Sequence, residues 1–509
     1  MASMRTAALA VLLAAGTGAD SKFVRRDLEK VQADYLVVAP PAFADALDPL
    51  CEHRSKAFRV AVVRTDDVAT KFGAGAEGIA KLVGAVKPRF LLLAGDADAV
   101  PAFVRPSAYR TERFACDADL ATDHLFGAVA GRFPADTVDE LRAMAAKTVE
   151  YETALKPGAW QRKIDFVTGE GGFGPVIDTI LESQFSSVVT DRIPAAYRVE
   201  TAYAKPSSKY CFYPPKFNDH AVSLLNEGAL FYTYVGHGLR TSFDDVRYNG
   251  FSFPIFEAKD AKRIEVRDGL PVVVVIACYT GQYDSKLGDC IGEELFKRPR
   301  GPVAFIGGSR VTQPYGNALL GRKLVDQVFH EKAATLGEAL WSAKGAVVGP
   351  DESGLRRQAD AIAGLVQGPG SLEPMRQDVI LHYNLLGDPA LVLRRPDESI
   401  ALTPRGFPGP GRLFVVTGRA PPGPVEVTFE CPRNRFYHPV DLVGETAEKQ
   451  LARRYVNANN KVVVRVETES RGGEFEAEVE LPHDLEPGTY WLKASASGSI
   501  GAHEIKLID

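Results

Sequence analysis

Two short apolar runs limit what this chain can fold into. The runs lie at 229–235 and 271–276, and both are too short to span a membrane. Continuous apolar segments of this length, rich in Val, Tyr and Phe, are typical of central strands in a parallel sheet that is covered on both faces. We therefore expect an α/β fold with an open, mostly parallel sheet.

Each run ends in a reactive side chain beside a glycine. His237 follows the first run within Gly236-His237-Gly238, and Cys278 follows the second. In an open α/β sheet, the carboxyl ends of neighbouring strands face one crevice, where ligands bind. Taken singly, such a cysteine is most often a small buried hydrophobe and such a histidine a turn residue. Taken together, they are a candidate nucleophile and base, with the amides of Gly238 and Cys278 as candidate oxyanion donors.

The first third of the chain alternates strand and helix patterns. The strand patterns lie at 35–38, 58–63 and 90–93, and the helical ones at 42–52 and 77–86. This order predicts a βαβαβ unit with a parallel sheet. Farther on, Thr137 and Glu140 form a capping box, which predicts the start of a helix.

A second α/β half starts near Trp160 and contains a glycine-rich loop. A predicted strand at 163–168 runs into the loop 169–174, a formal G-x-G-x-x-G motif, and a further predicted strand at 186–190 ends in Asp191. This pattern leaves a nucleotide-binding oxidoreductase open as an alternative. The motif is weak, because glycines serve any tight turn and the Glu170 carboxylate would lie poorly beside a pyrophosphate.

Another buried strand is predicted at 301–306, and Ser309 follows it. Ser309 is not a serine-hydrolase nucleophile, because Val311 stands where G-x-S-x-G needs glycine. Helical patterns follow at 317–329, at 335–346 and inside a polar insertion near 349–375. Asp388 belongs to a Gly-Asp-Pro turn before the predicted last strand, and we interpret it as a turn residue.

After the Pro- and Gly-rich stretch 396–424, the apolar period changes from about 3.6 to about 2 residues. The alternating segments lie at 425–429, 461–466, 474–481 and 490–494. They predict a small all-β, immunoglobulin-like sandwich that packs or tethers and carries no chemistry. The expected division is two α/β halves, at 20–158 and 159–396, and a sandwich at 397–509.

Several segments match a known family in order along the chain. Beside GHG and AC-x-x-G at the two strand ends, they are GDA-x-x-VP at 95–101, DH-x-x-G at 123–127, GRFPA at 131–135, K-x-x-x-YE at 147–152 and YNLLGDPALVL at 383–393. On these motifs the chain resembles the gingipain-like cysteine peptidases (peptidase family C25), over about residues 35–393. The resemblance implies a caspase-like fold and a cysteine endopeptidase acting on polypeptides. A catalytically inactive scaffold of the same fold is a second alternative.

The resemblance also assigns roles to individual residues. The expected catalytic residues are Cys278, His237 and Glu170. Asp178 corresponds to the family's carboxylate at the floor of the pocket for the residue before the scissile bond, although it follows Glu170 more closely than in the family. Such a carboxylate favours Arg over Lys, because the guanidinium fork can bind it with two hydrogen bonds. The alternative is a pocket lined by apolar residues near Tyr279 and Ser309.

The composition is that of an ordinary soluble protein and gives no sign of nucleic-acid binding. The chain is 45% hydrophobic and 25% charged, with a formal net charge of −5 and no basic stripe. Its six cysteines are scattered, without the spacing of a metal site or a disulfide framework. We therefore expect no required cofactor. Calcium sites occur in the family that the chain resembles, which leaves a structural calcium open on an acidic loop such as 94–98.

The N-terminus has the pattern of a secretory signal. Arg5 precedes an apolar run at 6–15, and small residues follow at 16–19. We expect a signal peptide over 1–19, a mature chain that begins near Asp20, and a secreted or cell-envelope (periplasmic) location. The alternative is that this run is a first strand or helix of the folded domain.

Overall fold

A computed structural model describes residues 21–117, 127–172, 182, 186–350, 353–437 and 445–508. The expected signal peptide lies outside these residues, and so does the DH-x-x-G motif except for Gly127. In this part of the chain, no helix is both long enough and apolar enough to cross a membrane.

The strands are numbered in chain order over the described residues. They are β1 (Tyr35–Ala39), β2 (Val60–Arg64), β3 (Phe90–Ala94), β4 (Phe103–Pro106), β5 (Arg113–Cys116), β6 (Val129–Phe133), β7 (Lys163–Thr168), β8 (Arg198–Tyr203), β9 (Phe231–Val235), β10 (Gly238–Leu239), β11 (Ser242–Phe243), β12 (Asp245–Tyr248), β13 (Phe251–Pro254), β14 (Val272–Ile276), β15 (Ala304–Gly308), β16 (Tyr383–Leu386), β17 (Leu402–Arg405), β18 (Leu413–Arg419), β19 (Gly423–Glu430), β20 (Val462–Ser470), β21 (Glu474–Glu480), β22 (Gly488–Ala496) and β23 (Ser499–Leu507).

The α-helices are numbered in the same way. They are α1 (Asp48–Arg54), α2 (Thr65–Phe72), α3 (Gly75–Val86), α4 (Val138–Thr153), α5 (Phe217–Glu227), α6 (Ile291–Phe296), α7 (Pro314–Phe329), α8 (Leu336–Val348), α9 (Gly354–Gln367), α10 (Leu372–His382) and α11 (Ala447–Asn459).

One ten-stranded sheet organises the α/β part of the chain. Its order is β2-β1-β3-β6-β16-β15-β14-β9-β7-β8. All pairs within β2-β1-β3-β6 are parallel, as are all pairs within β15-β14-β9-β7-β8. Strand β16 is antiparallel to β15 and meets β6 at a single residue pair. The predicted α/β fold with an open, mostly parallel sheet is confirmed.

The central strands are apolar because neither face of the sheet is open to water. Every residue of β1, β3, β14 and β15 is buried. Strand β8, at one end of the sheet, is buried at only two of its positions, Thr201 and Ala202. The continuous apolar runs in the sequence therefore mark the middle of the sheet, as expected for strands covered on both faces.

Two predicted strands are wrong. Residues 186–190 do not form a strand, because Val188–Arg192 is a single helical turn and β8 follows it. A short β-branched run is ambiguous without a partner strand. The strand predicted after the Gly-Asp-Pro turn is also wrong, since β16 lies before this turn. Asp388 in the turn is fully buried and accepts a hydrogen bond from Arg54 at 2.8 Å, so its role is structural.

The C-terminal part forms the predicted small β-sandwich and adds one α-helix to it. A three-stranded sheet, β17-β18-β21, packs on a four-stranded sheet, β20-β19-β22-β23. Alternate residues of β21 are buried, as the period of two predicts. Helix α11, inserted between β19 and β20, has an apolar face that the sequence analysis did not identify.

The sandwich part is hydrogen-bonded to the α/β part. The Arg433 guanidinium donates to four carbonyl oxygens at 2.5–2.9 Å, those of Val189, Ile193, Pro194 and Tyr197. Burial lowers the pKa of Arg433 to about 10. These bonds offset the cost of removing the guanidinium from water and join the two parts of the chain.

The outermost strands of the ten-stranded sheet are each bonded to a segment outside it. At β8, Thr201 donates its N–H to Asn459 Oδ1 at 2.9 Å, and its carbonyl accepts from Asn459 Nδ2 at 3.0 Å. At β2, Val62 donates its N–H to the Phe23 carbonyl, and its own carbonyl accepts from the Arg25 N–H, both at 2.9 Å.

Candidate active site

The two reactive residues follow neighbouring strands at the same level of the sheet. Strands β9 and β14 are parallel, and their last residue pair joins Val235 to Ile276. His237 and Cys278 each come two residues after that pair. The register therefore brings both residues to the same carboxyl edge of the sheet.

At Gly238 the segment after β9 lies directly against the segment after β14. A Cβ atom on this residue would lie 2.7 Å from the carbonyl oxygen of Cys278 and 2.8 Å from the Cβ of Ala277. Both distances are shorter than van der Waals contact, so a larger residue would push the strand ends apart. Glycine at this position keeps the histidine segment against the cysteine segment.

The ring of His237 is held by the glycine-rich loop. Its Nε2 lies 2.6 Å from the carbonyl oxygen of Gly171. Because a carbonyl oxygen can only accept, Nε2 carries the proton, and Nδ1 is the proton acceptor of the neutral ring. The backbone is held as well, since the Tyr234 hydroxyl donates to the His237 carbonyl at 2.8 Å and the Tyr234 ring stacks on Phe243.

Cys278 is the most accessible thiol. All six cysteines lie in the described part of the chain, and Cys278 is half-buried whereas the other five are buried. Burial raises the pKa of Cys211 to about 12 and that of Cys290 well above its usual range. A substrate or reagent would therefore meet Cys278 first.

The sulfur of Cys278 lies against Thr312. The Thr312 N–H donates to Sγ at 3.3 Å, and Thr312 Oγ1 lies 3.6 Å from the same sulfur. Thr312 Oγ1 accepts from Asn317 Nδ2 at 2.8 Å, and Asn317 Oδ1 accepts from the Tyr383 hydroxyl at 2.6 Å. The side chains of Tyr383, Asn317 and Thr312 thus form a chain of polar contacts from the first residue of β16 to the thiol.

A strained turn follows the cysteine. Tyr279 has a φ of 57°, a left-handed value that costs a non-glycine residue about 1–3 kcal/mol. Its N–H donates to the Arg310 carbonyl at 3.1 Å, and its hydroxyl donates to Glu112 at 3.0 Å. These bonds hold the turn and bring the β4–β5 hairpin beside Cys278.

The other predicted site residues have different outcomes. Glu170 is half-buried and directly precedes Gly171, so it lies in the loop that contacts His237. Asp178 lies outside the described residues. Ser309 is fully buried, and its hydroxyl donates to the Ala115 carbonyl at 2.9 Å. The hydroxyl is thus directed into the protein, and a pocket lined by apolar residues near Tyr279 and Ser309 stays a prediction.

The first glycine of the 169–174 loop has a packing role. A Cβ atom on Gly169 would lie 2.9 Å from the Tyr234 hydroxyl oxygen, which supports the His237 backbone. This contact explains a glycine here without a nucleotide. The loop contacts His237, as the peptidase resemblance implies.

Sequence reasoning missed Thr312, Glu112 and the Gly171 carbonyl. Backbone carbonyls have no residue signature, and Glu112 reaches the site from a hairpin whose position depends on tertiary packing. A weak signal did exist for Thr312, which follows β15, the neighbour of β14. The carboxyl-edge argument that identifies Cys278 applies to the segment after β15 as well.

No group of three or more His, Cys, Asp or Glu side chains in the described residues is arranged to hold a metal ion. On the acidic loop at 94–98, Asp98 forms an ion pair with Lys286. A structural calcium there stays a prediction.

Among known proteins, the chain is similar to the gingipains of Porphyromonas gingivalis. Gingipain R2 is 22% identical over 318 residues, which cover 60% of this chain and 40% of that protein. Gingipain R1 is 23% identical over 250 residues, which cover 48% of this chain and 23% of that protein. The chain thus spans less than half the length of these relatives.

Solved structures show the same fold. The crystal structure of the Arg specific cysteine proteinase gingipain R has a TM-score of 0.53 and 16% identity, covering 94% of this chain and 99% of that chain. A structure described only as that of a protease has a TM-score of 0.54 and 18% identity, covering 93% of this chain and 96% of that chain. The family model for peptidase family C25 matches residues 29–394, and the chain belongs to that family.

Proposed function

We propose that this protein is a cysteine endopeptidase in which Cys278 is the nucleophile and His237 the base. The observation that carries the proposal is the register of β9 and β14, which brings the most accessible thiol and a positioned imidazole to one edge of the sheet. Membership of peptidase family C25 supports it.

The proposed reaction starts from the His237 tautomer that the Gly171 carbonyl favours. The thiol proton moves to Nδ1 of His237, because Nε2 already donates to the Gly171 carbonyl. The Cys278 sulfur then attacks the peptide carbonyl carbon, and the amides of Gly238 and Cys278 bind the oxyanion. His237 returns the proton to the leaving amine, and water hydrolyses the thioester. These steps need no metal, since an imidazole is sufficient to activate a thiol.

The orienting group for His237 has two candidates. Glu170 is the candidate that the family resemblance implies, and the Gly171 carbonyl is the one in contact with the ring. If the carbonyl orients the ring, Glu170→Gln should keep most of the rate of peptide hydrolysis. A loss of about 100-fold or more would assign this role to the carboxylate, since general acid–base catalysis contributes about 10²–10⁴-fold.

We propose cleavage after Arg, with Lys a poorer substrate. A solved relative of the same fold is described as Arg specific, and Asp178 is the candidate carboxylate at the floor of the pocket. In a library of peptides with each residue in turn before the scissile bond, Asp178→Asn should reduce cleavage after Arg far more than cleavage after a neutral residue. A preference for Asp or for large apolar residues would overturn this specificity.

The nucleophile assignment is tested by paired cysteine variants. Cys278→Ala should abolish hydrolysis while leaving the fold intact, because the change removes little volume. Cys431→Ala, which removes a buried thiol in the sandwich, should stay active. Cys278→Ser with the activity of the unaltered protein would refute the assignment.

Two other functions have their own tests. An inactive scaffold would leave Cys278 unlabelled by a thiol-reactive substrate mimic. A nucleotide-binding oxidoreductase would bind a nicotinamide cofactor at the 169–174 loop, and calorimetry with such a cofactor would detect this.

The proposed location is outside the cytoplasm, in the medium or the cell envelope, with polypeptides as substrates. The basis for the location is the signal-like pattern at 1–19. N-terminal sequencing of protein from the native cell should find a start near Asp20, and a start at Met1 or Ala2 would exclude export by this signal.

A further inference from the structure

The Cys278 sulfur has a hydrogen-bonding partner of its own in Thr312. We propose that Thr312 is a second catalytic residue, which stabilises the thiolate of Cys278 through its amide and its hydroxyl, and that Asn317 and Tyr383 position this hydroxyl. The inference rests on the proposed function, because it concerns the same nucleophile.

The amide is the first of the two donors. The Thr312 N–H points at Sγ over 3.3 Å. An amide N–H can only donate, so it interacts more favourably with a negatively charged sulfur than with a neutral thiol. Thr312 is only 4% exposed, so little water competes for this bond.

The hydroxyl is the second donor, and its direction is set by its neighbour. Asn317 Nδ2 donates to Thr312 Oγ1 at 2.8 Å and occupies an acceptor site of that oxygen. The hydroxyl proton can therefore turn toward Sγ, 3.6 Å away, when the sulfur is a thiolate and can only accept. This separation suits a bond to sulfur, which is larger than oxygen.

Donation runs in one direction from Tyr383 to Thr312, and a thiolate at Cys278 would extend it to sulfur. Tyr383 donates to Asn317, Asn317 donates to Thr312, and Thr312 is placed to donate to Cys278. Burial raises the pKa of Tyr383 well above its usual range, so its hydroxyl stays protonated and keeps donating. Hydrogen bonds aligned in one direction strengthen each other, and the last of them meets the charge on sulfur.

In this proposal His237 and Thr312 have different roles at the thiol. His237 takes the proton from the thiol, while Thr312 holds the negative charge that stays on sulfur. When the sulfur–carbon bond forms, this charge moves to the oxyanion and the contact with Thr312 weakens. Thr312 therefore raises the amount of thiolate in the free protein more than it lowers the later barrier.

The test is the rate at which iodoacetamide alkylates Cys278 in the full chain, followed by mass spectrometry. Thr312→Val keeps the shape and the amide but removes the hydroxyl. At pH 7 alkylation should be about tenfold slower, the loss expected for one hydrogen bond to a charged group. At pH 10, which is above the ordinary pKa of cysteine thiols in general, the rates should agree within about twofold.

Conservative variants separate chemistry from packing. Thr312→Ser keeps the hydroxyl and should restore most of the rate. Tyr383→Phe, a positioning variant, should slow alkylation at pH 7 by about threefold, because the Thr312 bond loses only its alignment. Thr148→Val removes another buried threonine hydroxyl, which donates to the Met144 carbonyl within α4, and should leave the rate unchanged.

Two results would overturn the inference: an unchanged rate in Thr312→Val at pH 7, or equal slowing at pH 7 and pH 10, which indicates altered access. If circular dichroism shows that Thr312→Val is unfolded, an unchanged rate in Tyr383→Phe is the refuting result. Alkylation does not require peptide hydrolysis. An inactive protein with the predicted alkylation pattern would refute the proposed function and would leave only the stabilisation of the thiolate by Thr312 standing.

Discussion

Glu293 has a carboxyl group that folding removes from water, and the cost depends on pH. It is 2% exposed on α6 and accepts the Cys290 N–H at 2.8 Å. Burial raises its pKa from 4.5 to about 8, and repulsion from Asp289 and Asp96 acts in the same direction. The folded protein therefore holds a proton on Glu293 that the unfolded chain releases at lower pH.

The sign and the size of the effect follow from this difference. Between about pH 4.5 and pH 8 the folded state binds more protons at Glu293, so its contribution to stability is greatest at low pH and is lost as the pH rises. Each pH unit within this window is worth about 1.4 kcal/mol. From pH 5 to pH 7 the loss is about 2–3 kcal/mol.

The perturbation is Glu293→Gln, which keeps an acceptor for the Cys290 N–H and removes the charge. Urea unfolding at pH 5 and pH 7 should show that the variant gains stability over the unaltered protein as the pH rises, by about 2–3 kcal/mol. Glu294→Gln, the same change at a half-buried neighbour, is the control and should show no such trend. A difference between Glu293→Gln and the unaltered protein that is the same at both pH values would refute the reasoning.

Two further changes test the packing of the site and of the sandwich. Gly238→Ala should remove peptide hydrolysis and lower the melting temperature, because its Cβ would lie 2.7 Å from the Cys278 carbonyl oxygen. The control Gly321→Ala, in open space on α7, should stay active and stabilise the protein by about 1 kcal/mol. An active Gly238→Ala would contradict the close approach. Arg433→Met should cost about 3–5 kcal/mol of unfolding free energy in urea, because four carbonyl oxygens lose their donor. The exposed Arg419→Met should change it by under about 1 kcal/mol, and equal effects would argue against a buried contact.

The sequence predicts best where local pattern and burial agree. Strand β7 coincides with the predicted 163–168, and the capping box of Thr137 and Glu140 starts α4 as expected. Both features depend on residues that are close to each other in the sequence. The continuous apolar runs of β9 and β14 also locate Cys278 and His237, because only the middle of a covered sheet accepts such runs.

The prediction fails where a contact joins distant parts of the chain. Thr312 reaches Cys278 across 34 residues, and Asn317 reaches Tyr383 across 66. Helix α11 is polar on average. Its few apolar residues are buried because the helix lies beside β8, a strand that is distant in the sequence. Residues 186–190 are equally ambiguous in isolation, since nothing local decides between a strand and the single turn that forms.

The bonds at β2 and β8 limit where proteolysis can shorten the chain without exposing an outer strand. A bare outer strand offers unpaired N–H and C=O groups to any other extended chain. Asn459 uses its amide side chain in place of a partner strand at Thr201, and the 23–25 segment pairs with Val62. Maturation near Asp20 would leave this segment intact, but cleavage only a few residues later would open β2 to aggregation, as loss of the sandwich would open β8.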